Sequence, residues 1–437
     1  MISRRSALAG AAVTSLSASL SASLSTALAA QVRTAPSLSV WISADKGYEG
    51  VAKMGAAFER ATGVAVRVEH PENGISKFEQ AAAAGKGPDI WIWTHDRAGS
   101  WAQSGLIRPI APARSVREAI SPLAWSAWQL AGRSWGWPLA IECVALIVNL
   151  DLVPEPPATW EDVIAIDRAL RTQGRRAIAW AFNEFYYAYG LVSAGGGYAF
   201  ARRPDGSWSA GDTGIANQGS RAGMVMLKQL VDEGVVPRTT TYAESEAAMN
   251  EGRVAMTING PWAWNNLRKS RLRVAAFPLP GLSRAAPTPG TGRAAVSPGT
   301  GRAAASPGRP MVGVPGAMIT TSSRHPVLAA EFIERWLLSP AGLRAMHAHV
   351  PLGVPADLAL LQELRQRDVL VAGTQAAAAL GEPMPNIPEM ARYWTAMNAA
   401  VQGITQGRET VDEALRRAAS RVASRPGDRA ATAVVGS

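Results

Sequence analysis

Apolar and polar positions alternate in short bursts along the first part of this chain, and each burst leads into a run at helical spacing. Leu38-Ser39-Val40-Trp41-Ile42 alternates as a strand. Over the run from Gly50 to Thr62, Val51, Met54, Ala57 and Phe58 fall on one helical face. Val64 to Val68 predicts a second strand, Ser76 to Ala84 a second helix and Ile90-Trp91-Ile92-Trp93 a third strand. Parallel strands need a crossover and a helix supplies it, so this order predicts a parallel α/β sheet.

The pattern starts again further on. Cys143 to Asn149 is strand-like, and Pro156-Pro157-Ala158-Thr159 breaks the chain before a helix from Trp160, with Asp162 placed to complete a capping box. Ile178 to Phe182 is a further apolar stretch, Gly223 to Leu230 lies in a long amphipathic helix, and Ala255 to Ile258 is a strand. A second α/β lobe is therefore expected. Helical spacing resumes at Val327 to Leu338, and Thr410 with Glu413 predicts another capping box. Between them, RAAPTPGTG, RAAVSPGTG and RAAASPGRP form a tandem nine-residue repeat over 284–310. It has no bulky apolar residue to bury and no acid to hold calcium, so it reads as a flexible surface loop, as does the tail after about 421.

Length fits this reading: 437 residues with 47% hydrophobic positions make more than one compact lobe. The net charge of +10 comes from scattered arginines without a packed basic helix, which argues against a nucleic-acid partner. Residues 1–29 carry an Arg pair in Ser3-Arg4-Arg5, an uncharged Ala/Leu/Ser stretch and Ala27-Leu28-Ala29, the layout of a Tat-like export signal cleaved after Ala29. No later stretch reaches about 18 consecutive apolar residues, so a soluble periplasmic protein is expected. Cys143 is the single cysteine, which excludes an internal disulfide, and alternation turns it toward a core.

Candidate chemistry gathers at strand ends, where open α/β sheets bind ligands. Trp93 is followed by Asp96 and Arg97; Asp45-Lys46 follows the first strand; Glu142 adjoins an apolar run. Asn183-Glu184-Phe185-Tyr186-Tyr187, Asn259-Gly260-Pro261-Trp262 and Arg392-Tyr393-Trp394 repeat the combination of aromatic and polar residues. An indole or phenol ring covers the C–H face of a sugar while carboxylates and cations bond its hydroxyls. Taken alone, the Trp93 stretch is better explained by Asp96 opening a helix and Trp93 filling a core. Its recurrence, and fifteen tryptophans in all, favour a cleft lined by aromatics.

The stretches WISADKGYEG, GPDIWIWTHDRAGSWAQSGL, NLDLVPEPPATWED, AGGGYAF, AMTINGPWAWNN, MPNIPEM and GRETVDEAL carry a resemblance over about Leu38 to Ala418. They resemble the periplasmic maltose/maltodextrin-binding proteins, solute receptors of ATP-binding-cassette importers. The resemblance implies a periplasmic-binding-protein-like fold: two α/β lobes joined by crossing hinge segments, with the ligand cleft between them. It implies an N-lobe from 30–141 and 312–362 and a C-lobe from 142–311 and 363–437. Asp45, Lys46, Trp93, Asp96, Arg97 and Glu142 would line the N-lobe side and hinge. Glu184, Tyr186, Trp262 and Trp394 would line the C-lobe side, with Met384 nearby. The implied partners are maltose, a maltooligosaccharide or a related α-glucoside, and the permease subunits of the importer. A chemoreceptor is a further candidate; no cofactor or metal is implied, and the protein is expected as a monomer.

The family pattern is broken at several positions. Ser43 stands for Asn, Ile75 and Ser76 for two glutamates, Phe185 for Pro, Tyr187 for Phe, Thr395 for Tyr and Asn398 for Arg. Thinner outer subsites are expected, with a changed chain-length profile or a preference for another α-glucoside such as trehalose. A glycoside hydrolase, with Asp96 or Glu142 as acid and Glu184 as base, is the main alternative class. The His347/His349 pair lacks a third ligand and reads as surface.

Overall fold

A computed structural model describes residues 36–44, 46–283 and 306–423. Residues 1–35, where the export signal is expected, Asp45, residues 284–305 of the repeat and the tail after 423 lie outside the described residues. The first elements are β1 (Ser37–Ile42), α1 (Tyr48–Thr62), β2 (Ala65–Glu69), α2 (Gly74–Ala83), β3 (Ile90–Thr94) and β4 (Trp137–Pro138). Next come β5 (Ala145–Asn149), α3 (Trp160–Arg171), β6 (Arg176–Ile178), α4 (Phe185–Ala194), α5 (Gln218–Asp232), β7 (Val254–Asn259), β8 (Val274–Phe277) and β9 (Leu279–Leu282). The chain returns through β10 (Ser306–Gly308), β11 (Met311–Val312) and β12 (Pro315–Ile319). It closes with α6 (Val369–Leu380), β13 (Glu382–Pro383), α7 (Met390–Thr405) and α8 (Val411–Ala423).

The first sheet runs β2-β1-β3-β12-β4, and the second β8-β5-β7-β6. β1 is parallel to β2 and β3, as the alternation predicts, while β12 comes back antiparallel between β3 and β4. In the second sheet β5 is central and buried along its whole length. Its side chains sort by strand alternation. Ala145 and Ile147 join a core shared with the first sheet, and Leu146 and Val148 join a separate core with α3, α5 and α7. Both predicted capping boxes are present, at Thr159/Asp162 and Thr410/Glu413.

Two α/β lobes thus meet over a shared core. The chain passes from the first sheet to the second through 139–144 and returns through 309–314. Glu142 and Gly313 exchange backbone bonds of 2.8 and 2.7 Å, and β11 pairs parallel with β13. A side chain on Gly313 would stand 3.1 Å from both Met384 Cε and Thr94 Cγ2, so glycine lets these segments approach. The apolar run from Cys143 therefore enters its sheet only at Ala145, because Glu142 is bonded to the junction.

Two sequence expectations are corrected. The tryptophan count does not report a cleft: Trp91, Trp101, Trp125, Trp128, Trp137, Trp160, Trp180 and Trp264 are all buried in the lobes. Large flat indoles fill the space between sheet and helices, as in the stacked Phe78–Trp91 pair at 5.0 Å. The repeat is not loop to its end either, because Ser306–Gly308 pairs antiparallel with β9. Gly308 is buried there; a Cβ on it would lie 2.7 Å from the Gly190 carbonyl oxygen. Cys143 is free and buried, as alternation predicts. Among the described residues, no helix is long and apolar enough to cross a membrane.

Candidate functional site

The loop after β1 carries Lys46 toward the junction, where its Nζ donates to both carboxylate oxygens of Glu142 at 2.7 and 2.8 Å. Both side chains are largely shielded, at 14% and 7% exposure, so this is a charge pair held out of bulk water. The same Nζ lies 5.5 Å from the centre of the Trp262 ring, which projects from the turn after β7. Lys46 therefore bridges the first lobe, the junction and the second lobe.

Trp262 opens an aromatic wall. Tyr186, in the first turn of α4, lies 6.2 Å from it, and Trp394 on α7 lies 6.2 Å from Tyr186 at a steep angle. Tyr187 meets Trp262 edge-on at 6.1 Å and Tyr242 at 6.3 Å. Burial, then the nearness of Cys143 and Glu142, raises the Tyr186 hydroxyl well above its ordinary value; Asp96 adds to this. That ties Tyr186 electrostatically to groups from the first lobe and the junction. Trp262 and Trp394 keep part of their surface open. Glu184 lies at the exposed edge of the wall, and partial burial raises its carboxyl.

The first lobe contributes the turn after β3. Trp93 stacks on Trp91 at 5.2 Å and 8°, leaving its outer face available. A cavity of about 670 Å³ lies beside it, with Ser43, Ile75, Ser76, Trp93 and Arg97 in its lining. Arg97 pairs with Glu79 at 3.6 Å. Burial lifts Asp96 to about 6, against the pull of Arg97 and of the backbone N–H groups of Asp96 and Arg97. A carboxyl raised in the fold favours folding below its ordinary value of 3.8, and that contribution is lost as pH rises through about 6. Asp96→Asn is thus expected to raise the ligand-free melting temperature by about 2–4 °C at pH 7.5. Scanning calorimetry should show the gap narrowing toward pH 5.

The structure brings Lys46, Glu142, Tyr186, Trp262 and Trp394 together, with Asp96 close by. Trp93 and Arg97 face the first lobe's own cavity, and Asp45 lies outside the described residues. Met384 is buried in the junction, with its N–H donating to the Val312 carbonyl at 2.9 Å. Sequence reasoning missed His95 and Tyr242. Tyr242 follows the capping residue Thr241 and carried no periodic signal. His347 and His349 are half-buried. Burial lowers His347, whose Nδ1 accepts from the Leu352 N–H at 3.3 Å, and His349 packs edge-on against Tyr48. Among the described residues no cluster of His, Cys, Asp or Glu suits a metal ion.

Two of the departures from the expected pattern acquire structural roles. The Thr395 hydroxyl donates to the Ala391 carbonyl of its own helix at 3.1 Å. Asn398 Oδ1 accepts from the Phe185 N–H at 2.8 Å, which caps α4 from α7.

Residues 53–363 match the sequence model of a family described as bacterial extracellular solute-binding protein. The chain is 25% identical over 396 residues to a galactooligosaccharide-binding protein of Bacillus subtilis, covering 87% of each. It is 24% identical over 387 residues to a maltodextrin-binding protein of the same organism, covering 84% of this chain and 85% of the relative. It is also 24% identical over 338 residues to a maltotriose-binding protein of Pyrococcus abyssi, covering 76% and 69%.

Proposed function

The chain belongs to the bacterial extracellular solute-binding protein family, and from that premise we propose that it is an oligosaccharide receptor whose ligand sits between the two lobes. The observation that carries the reading is the Lys46–Glu142 pair set against Trp262, continuous with Tyr186 and Trp394. Rings of this kind cover the apolar faces of successive sugar units, while the ion pair and Asp96 bond hydroxyls at the edge. The printed names of three relatives, binding proteins for galactooligosaccharide, maltodextrin and maltotriose, support the ligand class.

Within that class we propose maltose or a related α-glucoside, captured by closure of the lobes and passed to the permease subunits of an importer. In this reading the mature protein is a periplasmic monomer, and the chain crossings near 142, 312 and 363 divide the lobes. Thr395 and Asn398 spend their polar groups on helices, and Ile75 adds apolar surface to the first-lobe cavity. Outer sugar units therefore gain few contacts, and affinity is expected to level off after the first two units.

Binding is expected without turnover. Both Glu142 oxygens are occupied by Lys46, which leaves that carboxylate poorly placed as a proton donor.

Titration calorimetry with maltose, maltotriose, trehalose and a galactooligosaccharide tests the reading. One-to-one binding on the order of micromolar, about −8 kcal/mol, is expected for at least one α-glucoside. A stronger signal from the galactooligosaccharide would move the ligand class to β-linked sugars. No heat from the whole panel would overturn the oligosaccharide reading, and glucose released from the recovered sugar would overturn the receptor reading.

A further inference from the structure

His95 lies between the last residue of β3 and Asp96, is fully buried, and has its ring 6.3 Å from that of Trp128 in the first lobe. Its two ring nitrogens serve two distant stretches of chain. Nδ1 accepts the Val314 N–H at 3.0 Å, and Nε2 lies 2.8 Å from the Met384 carbonyl oxygen. A backbone N–H can only donate and a carbonyl can only accept, so the ring is the neutral tautomer with its proton on Nε2. Burial keeps it so, lowering its value from 6.5 to about 4.

Both partners belong to the junction. Val314 ends the second crossing, and its carbonyl in turn accepts from Trp128 Nε1 at 3.1 Å. Met384 is bonded to Val312 through its own N–H, and Gly313, between Val312 and Val314, exchanges backbone bonds with Glu142. One imidazole thus closes a ring of bonds over the segments that link the lobes. It does so from within the turn that carries Trp93, Asp96 and Arg97.

We propose that His95 is a positioning residue for ligand capture: it fixes the Trp93–Arg97 turn to the junction segments at Val314 and Met384, so that the turn and the junction move as one body. This rests on the receptor reading for its functional consequence, while its structural content is independent of any sugar. Side chains satisfying both partners are few. Gln offers a donor and an acceptor, and Phe fills the space while leaving the Val314 N–H and the Met384 carbonyl without partners.

The test compares the full mature protein with His95→Gln and His95→Phe. In ligand-free wild type, ¹⁵N NMR of the ring is expected to show the Nε2–H tautomer. Hydrogen exchange in His95→Phe is expected to speed at least tenfold at Val314 and at Asp96–Arg97 together, while β5 and β7 stay protected. His95→Gln is expected to restore protection in part. Maltotriose affinity, by calorimetry, should fall at least tenfold in His95→Phe and recover partly in His95→Gln. Exchange that rises at Val314 alone, uniform deprotection of the first lobe, or unchanged affinity with a lowered melting temperature would each overturn the proposal. Failure of wild type to bind maltotriose would strike the sugar reading instead, and the tautomer and exchange results would still decide this one.

Discussion

Replacing Trp262 with alanine is expected to lower oligosaccharide affinity by about 30- to 1,000-fold, the equivalent of roughly 2–4 kcal/mol. The expected loss is large because the ring has two jobs. It offers the sugar a flat apolar face, and it holds Lys46 Nζ 5.5 Å above its centre. Without the ring, Lys46 keeps Glu142 as partner but loses the surface that keeps water from the pair, and Tyr186 loses its neighbour at 6.2 Å. Trp262 is only partly buried, so the melting temperature is expected to move by no more than about 5 °C. Trp336 packs edge-on against Phe58 in the first lobe, 5.7 Å from its ring and away from the aromatic wall. Trp336→Phe is expected to leave affinity within about twofold. Calorimetric titration of both variants separates a lost binding surface from a general loss of tryptophan packing.

The largest effect on stability is expected at Asp167. This carboxylate on α3 is fully buried, and it accepts from Arg171 Nε at 2.6 Å, from Arg176 at 3.0 and 3.1 Å, and from the Ala177 N–H at 2.9 Å. Burial alone would raise its carboxyl; Arg176, the Ala177 N–H and Arg171 outweigh that and hold it below its ordinary value. The group therefore ties the end of α3 to the start of β6. Asp167→Ala leaves the Ala177 N–H without a partner and two guanidinium groups facing each other. Their part exposure, at 42% and 39%, limits the damage, so a loss of about 3 kcal/mol is expected rather than the upper end for buried ion pairs. In a lobe-sized unit that corresponds to roughly 6–12 °C. A carboxyl held low in the fold lends stability above its ordinary value of 3.8 and loses it as pH falls through the lower folded value. Acid melts should therefore show wild type losing its advantage over Asp167→Asn below about pH 4.

The candidate site was legible in part because strands advertise where they end. β1, β3 and β7 give way to Lys46, to Asp96 just past Trp93 and to Trp262, and α/β sheets present residues at such strand ends to a cleft. Capping boxes at Thr159 and Thr410 were equally local, since three residues decide them. What escaped the sequence depends on contacts far apart along the chain. His95 meets Val314 and Met384 across separations of 219 and 289 residues, and nothing in the string THDR distinguishes a junction histidine from a surface one. Tryptophan number misled because composition is silent about which indoles meet water: Trp91 and Trp93 are two positions apart on one strand face, yet only Trp91 is fully buried. Low-complexity composition likewise hid the strand at Ser306–Gly308, where lack of a side chain at Gly308 is what lets it lie against Gly190.

Small-angle X-ray scattering of the mature protein, with and without saturating maltotriose, tests directly whether sugar is held between the lobes. The radius of gyration is expected to fall on adding sugar to wild type and to stay unchanged in Trp262→Ala at the same concentration. Calorimetric binding of maltotriose with no change in scattering, or an equal contraction in the variant, would contradict a cleft that closes on its ligand.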